Sequence, residues 1–391
     1  MSESIENKVK EKKPKKKLTK KRLALRIVLC TLGAILLIIG GYLIYVFASY
    51  HRIPDNQVLE VKPDLLTYAK MDRVPPQPIE VIPGGKTYTI MTYNIGFGAY
   101  TPDYSFFMDG GKSSWAKSED ALKENLVNIG QFIMDYHPDF TLLQEVDEDG
   151  TRTYHVNEIN YMTGAYTYQF VYARNFDSPF LFWPLLEPHG ANKSGLLTLS
   201  DARISSALRR SLPVADSVSK IVDYDRGYSI SRIPLSGKYA GEKELILINV
   251  HLSAYSTEEV RQAQLAMLTE DLIKEYEAGN YIICGGDFNH DLRGVASENA
   301  PGWAQPFPTD ALPEHFAFGF ASPGSPEAEI HIGHNSCRDA NQAFDPHTSF
   351  TVLADGFIVS DNIEVVYYES LNLGYAFSDH DPVMMEFRLL P

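Results

Sequence analysis

The sequence predicts an α/β (α+β) domain of two packed sheets flanked by helices, carried behind one membrane-spanning helix. Three observations carry this reading. From Lys86 onward, strand-like apolar runs outnumber helical ones, and many strands with few helices between them pack as layered sheets. Several of those runs end on polar side chains. Ahead of them, Ile27 to Ala48 carries no charge over a length that spans a bilayer as a helix.

The chain has 391 residues, 44% hydrophobic and 22% charged, enough for one large core or two small ones. Residues 1–26 form a basic tail containing Lys12-Lys13, Lys15-Lys16-Lys17 and Lys20-Lys21-Arg22. A cleaved signal peptide competes with an anchor over 27–48. The apolar run is too long for a signal core, and Ala48-Ser49-Tyr50 is a poor cleavage site, so an uncleaved anchor is expected. The positive-inside rule places the tail in the cytoplasm and the rest outside, a single-pass protein of the cell membrane. Charge divides the same way. Residues 1–49 hold 11 Lys/Arg and 3 Asp/Glu, a net of +8, which leaves −23 beyond them in a chain of total charge −15. The three cysteines, Cys30, Cys284 and Cys337, make no disulfide framework, which suits a bacterial cell surface.

Residues 49–85 are polar and punctuated by Pro54, Pro63, Pro75, Pro76, Pro78 and Pro83, and read as a linker or loosely packed collar. The folded domain is expected over 86–391. Its first strand runs from Lys86 to Tyr93. An aromatic loop follows, then a helix over 119–136 capped by Ser118, with Leu122, Leu126, Ile129 and Ile133 on its core face. Strands are expected at 139–144, 168–173, 195–200, 204–212, 228–235 and 245–250. A second helix, capped by Thr257, runs to Tyr276 ahead of a strand at 281–284. A long irregular stretch from Leu292 to Ser349 precedes strands at 357–360, 363–370 and 383–389.

Chemistry concentrates where strands end. Tyr281-Ile282-Ile283-Cys284 stops at Gly285-Gly286, and Asp287 and Asn289 follow, two apart and, in extended chain, on one side. A self-bonded Asx turn explains that hexapeptide alone equally well. Four further runs behave alike: Ile90-Met91-Thr92-Tyr93-Asn94, Thr141-Leu142-Leu143-Gln144-Glu145, Leu247-Ile248-Asn249-Val250-His251, and Ser378-Asp379-His380-Asp381-Pro382 ahead of Val383 to Phe387. In this order, with Gly-Asp-Phe-Asn between the third and the last, they resemble the endonuclease/exonuclease/phosphatase superfamily of the deoxyribonuclease-I-like fold. The resemblance covers about Tyr88 to Leu389.

That resemblance implies a four-layer α/β sandwich of two mainly antiparallel sheets, and a metal-dependent hydrolase of phosphoester bonds. It assigns Glu145 as primary ligand of Mg²⁺ (or Mn²⁺), supported by Asn94 directly or through water, and Asp379 to the metal or water network. Hard oxygen ligands suit those ions. It makes His380 the base or the phosphate-polarising residue, with Asp355 fixing its tautomer. His251 contacts the phosphate as acid or donor, and Asp287 and Asn289 orient the attacking water. Two positions depart from the family pattern. Glu145-Val146-Asp147 lacks the usual basic residue, and Gly356 replaces a larger side chain after Asp355. His290, His331, His334 and His347 match no motif and read as solvent-facing loop histidines; Arg338 reads as a surface charge. Asn192-Lys193-Ser194 is a glycosylation sequon only in a eukaryotic secretory pathway.

The fold hosts many substrates. Outside the tail the only Lys/Arg cluster is Arg209-Arg210, so nucleic acid, which needs a basic surface, is disfavoured as partner and an extracellular nuclease is the alternative. A small phosphoester or a phospholipid headgroup is expected instead. The aromatic loops 97–115 and 176–183 either shape its pocket, dip into lipid headgroups, or simply pack over the sandwich. A non-catalytic module on the same fold ranks last, because no expected site residue is missing. The sequence assigns no oligomeric state.

Overall fold

Helix α1, Lys20–Ser49, is the one helix among the described residues long and apolar enough to cross a membrane. It begins before the uncharged run because lysine, arginine and leucine extend a helix that the apolar run nucleates. The computed structural model describes residues 19–63, 79, 81–163, 169–215, 225–237, 241–294, 300–322 and 327–391. The tail up to residue 18, residues 64–78 and 80 of the expected collar, and Tyr168 lie outside them. The chain divides into two units, Met1–Ser49 and Tyr50–Pro391.

The second unit is built on eleven main strands: β1 (Thr87–Asn94), β2 (Phe140–Gly150), β3 (Gln169–Asp177), β4 (Asn192–Ser200), β5 (Ser206–Ser211), β6 (Gly227–Ser236), β7 (Glu244–His251), β8 (Tyr281–Asp287), β9 (Asp355–Ser360), β10 (Ile363–Ser370) and β11 (Val383–Leu389). One sheet runs β5-β6-β7-β8-β9 and the other β10-β11-β1-β2-β4-β3. Each is mixed around a central parallel pair. Parallel neighbours need a long crossover, and here each crossover is a helix. Helix α2 (Glu119–Tyr136) joins β1 to β2, and α3 (Glu258–Glu277) joins β7 to β8. The cap of α2 is the expected one, with Ser118 Oγ accepting from the Ala121 N–H at 3.1 Å.

Alternation along the central strands makes four layers. Ile90, Leu142, Leu245, Leu247 and Ile283 fill the space between the sheets. Met91, Tyr93 and Leu143 turn outward onto Leu122, Leu126, Ile129 and Ile133 of α2. Ile246, Ile248 and Ile282 meet Leu265, Leu268 and Leu272 of α3. Burial on both faces is why these strands read as unbroken apolar runs. A polar link crosses the inner layer. Gln144 Nε2 donates to Asn249 Oδ1 at 2.8 Å and Asn249 Nδ2 to the Leu143 carbonyl at 3.1 Å, all of it buried.

Two expectations change. The stretch read as a collar is tied into the sheets: Gln57–Val58 pairs with β5, Val61–Pro63 with β3 and Ile82–Pro83 with β6. The stretch read as irregular supplies Phe316–Phe318 beside β9 and Glu329–His331 beside β10. Strands of two or three residues show no periodicity to read.

Candidate active site

Both parallel pairs deliver their ends to one place. In register, Asn94 of β1 lies opposite Gln144 of β2, and His251 of β7 opposite Asp287 of β8. Asp355, which opens β9, pairs with Asp287 from the other side. The glycine before Asp287 makes this approach possible. Gly286 has φ +149, and a Cβ there would lie 1.9 Å from the Val250 carbonyl oxygen. On β2 the pairing with β4 shifts between Leu143 and Val146, and Glu145 has φ +54. This bulge re-aims Glu145 into the pocket.

The side chains interlock. Asn94 Oδ1 accepts from the Gly96 N–H at 3.0 Å, which fixes its amide, and Nδ2 reaches Glu145 Oε1 at 3.2 Å and Asp287 Oδ2 at 3.1 Å. Asp287 Oδ1 accepts the Asn289 N–H at 2.8 Å. His251 Nε2 lies 3.4 Å and His380 Nε2 3.8 Å from Asp287 Oδ2. The other nitrogen of His380, Nδ1, donates to Asp355 Oδ2 at 2.7 Å, and Ser336 Oγ holds the same oxygen at 2.8 Å.

Burial and charge set the protonation states. Burial alone would lower His380, but Asp355, Cys337 and Asp287 together raise it well above the usual imidazole range, so it is a cation and a donor. Burial, with Arg226 and His380 nearby, drives His251 well below that range, so it is neutral. Burial pushes Asp287 up to about 7 and Asp379 up to about 6, the latter also raised by the Glu145 charge.

Asp287, Asp355 and His380 come close enough to resemble a metal-binding trio. Within that trio His380 Nδ1 meets Asp355 Oδ2 at 2.7 Å, so the same three groups also form a hydrogen-bonded relay. Glu145 and Asp379 are a second set of acids at the same site. They line one pocket and offer hard oxygens, and Asp379 is raised by burial and, in smaller part, by the Glu145 charge, which a cation would offset.

All eight expected residues, Asn94, Glu145, His251, Asp287, Asn289, Asp355, Asp379 and His380, thus converge. Four details differ. Asn289 has φ +50, so it meets Asp287 through a turn, Nδ2 to Oδ2 at 3.3 Å, and not by extended-chain alternation. His290 is not solvent-facing: it is buried, Nδ1 donating to the Phe288 carbonyl at 2.6 Å with its ring edge-on to Phe307. His334 is half-buried, with Nε2 at 2.7 Å from Asp381. Nor is Arg338 a surface charge; it is buried, and its guanidinium donates to the Tyr100, Thr101 and Tyr104 carbonyls. Of the pocket walls, Phe106, Met108 and Asp109 come from the 97–115 loop, one of whose expected roles was to shape a pocket, whereas Arg226, Tyr255, Trp303 and Asp339 were missed.

Residues 91–380 match the Endonuclease/Exonuclease/phosphatase family. Among solved structures, an endonuclease/exonuclease/phosphatase from Beutenbergia cavernae DSM 12333 is 16% identical with a TM-score of 0.52, over 78% of this chain and 72% of that one. An endonuclease/exonuclease/phosphatase family protein from Leptotrichia buccalis C-1013-b is 13% identical with a TM-score of 0.50, over 77% of this chain and 100% of that one. At these identities the likeness is one of fold. No curated protein matches the sequence.

Proposed function

Because the chain belongs to the Endonuclease/Exonuclease/phosphatase family, we propose that it is a divalent-metal-dependent phosphodiesterase or phosphatase, tethered by α1 and acting outside the cell on a small phosphoester or a phospholipid headgroup. The observation that carries this reading is the meeting of Glu145, Asp287 and the Asp355–His380 pair at the floor of one pocket. A Mg²⁺ or Mn²⁺ ion held by Glu145 and Asp379 would neutralise charge on the phosphoryl oxygens. Asp287, with a pKa near neutrality, takes a proton from the attacking water, while Asn289 and Asn94 fix the carboxylate that receives it. His380, kept protonated by Asp355, directs its Nε2–H to a phosphoryl or leaving oxygen as the new P–O bond forms and the ester P–O bond breaks. His251 Nε2 stands 3.4 Å from that same Asp287 oxygen, Oδ2. Asp109 and Asp339 add to the floor acids, which weighs against a polyanionic strand.

The test is a screen of the full chain in detergent against mono- and diesters, with Mg²⁺, Mn²⁺ or chelator. Turnover should require the cation, and Glu145→Gln should raise the concentration needed. Full activity in chelator would overturn the metal assignment. Protease added to intact cells should remove the domain, and its protection would reverse the topology.

A further inference from the structure

Between β3 and β4 the chain makes a finger with an apolar tip. Leu181 and Gly190 close its neck with two backbone hydrogen bonds of 3.0 Å, and the His189 N–H reaches the Trp183 carbonyl at 3.1 Å. Inside the neck, Phe180 packs edge-on against Phe182 at 4.9 Å. Beyond it the tip turns outward. Phe182, Trp183 and Leu185 are more than half exposed and Leu186 is fully exposed. Four large apolar groups on one defined turn form an exposed patch of the kind that marks an interaction site.

Two connections say what covers it. At its base, Asp177 lies 3.8 Å from Nε2 of His51, and His51 stands only two residues after Ser49, the last residue of α1. Two residues of chain span about 7 Å, so the finger's root is tethered to the point where a membrane helix would leave the bilayer. On its other flank the finger grips the segment that walls the active-site pocket. Ser114 N–H donates to Glu187 Oε2 at 2.9 Å, Trp115 Nε1 to the Pro188 carbonyl at 2.7 Å, and His189 packs on Phe106 and Phe107. Phe106, Met108 and Asp109 of that segment line the pocket.

We propose that the tip of this finger, Phe182 to Leu186, seats in the leaflet of the bilayer that α1 crosses and so presents the pocket to a phospholipid headgroup. Tryptophan and phenylalanine favour that interface, where an apolar ring is buried at headgroup depth. This rests on the hydrolase and anchor readings above and narrows their substrate to a lipid phosphoester.

Tryptophan fluorescence tests it on the full chain, because α1 contains no tryptophan and the three indoles all lie beyond it, at Trp115, Trp183 and Trp303. In vesicles of brominated phosphatidylcholine, part of the emission should be quenched relative to unbrominated vesicles, and Trp183→Phe should abolish that quenching. Leu185→Glu/Leu186→Glu, at positions that are largely and fully exposed, should also abolish it. The same double variant should slow hydrolysis of vesicle phospholipid by about tenfold or more, with turnover of soluble bis(p-nitrophenyl) phosphate unchanged. Equal quenching in wild type and Trp183→Phe would overturn the proposal. So would unquenched Trp183 together with a protein that co-purifies with wild type and is lost from the double variant, which would make the finger a protein-docking site. If neither ester is turned over, the hydrolase reading fails while the quenching result still decides where the finger sits.

Discussion

Replacing Arg152 by methionine should be among the most damaging changes outside the reacting groups. Arg152 is fully buried, with Nε 3.0 Å and one terminal nitrogen 2.8 Å from the two oxygens of Asp147. Its guanidinium lies 3.8 Å over the Phe97 ring. Asp147 is buried too, and its N–H donates to Glu158 Oε2 at 2.7 Å. Glu158 is completely buried, and burial together with the Asp147 charge pushes its pKa well up. Methionine keeps most of the volume but leaves the buried Asp147 carboxylate without its cation, and breaking such a pair costs about 3–5 kcal/mol. The damage should spread to the bulge two residues upstream that aims Glu145, raising the cation concentration for half-maximal activity. Urea unfolding of the full chain in micelles measures the first effect and a Mg²⁺ titration the second. Asp147→Asn combined with Arg152→Met should recover much of the stability, because the stranded charge is gone. A single variant within about 0.5 kcal/mol of wild type, the range of ordinary surface changes, would refute this account of the network.

His251→Ala and His380→Ala should each slow turnover by about 10²–10⁴-fold, and the double variant by much less than the product; His290→Ala, a buried ring beside the site, should lower the melting temperature yet turn over normally where folded. Gly286→Ala forces a Cβ into the Val250 carbonyl at positive φ, so a loss of about 3 kcal/mol or more is expected, read as a drop of about 4 °C or more in Tm for a unit of this size. Asp201 is raised by burial to about 6 from an ordinary value of 3.8. The folded state therefore holds that proton more tightly, and the stability it contributes is full below the ordinary value and lost as pH rises through about 6. Asp201→Asn should then stabilise the protein at pH 7, by up to about 3 kcal/mol, and have little effect at pH 4; equal effects at both pH values would contradict this.

The central layers were legible because their signals are local. Ser118 with a four-residue apolar stripe marks α2, and unbroken apolar runs mark strands covered on both faces. The site was legible through strand ends and order along the chain. What escaped depends on partners remote in sequence. The polar run Asp147 to Gly150 lies beyond the strand expected at 139–144 but is strand, because β4 pairs with it and Arg152 neutralises its first acid. His290 carries no mark of burial, since Phe307 covers it from seventeen positions away. Arg338 meets the Tyr100, Thr101 and Tyr104 carbonyls only once the fold has formed.

Apolar sandwiches resist separation well but sliding poorly, since contacts between oily surfaces have little direction. Here one sheet supplies Asn94 and Glu145, the other His251 and Asp287, so a shear of a single ångström between layers would pull the reacting groups out of alignment. The Gln144–Asn249 link sits one residue beneath Glu145 and two beneath His251, and it is directional where its surroundings are not. It works as a key between two plates, setting their phase at the depth where the chemistry depends on it. The strength of the sandwich comes from its apolar layers; its accuracy comes from two amides.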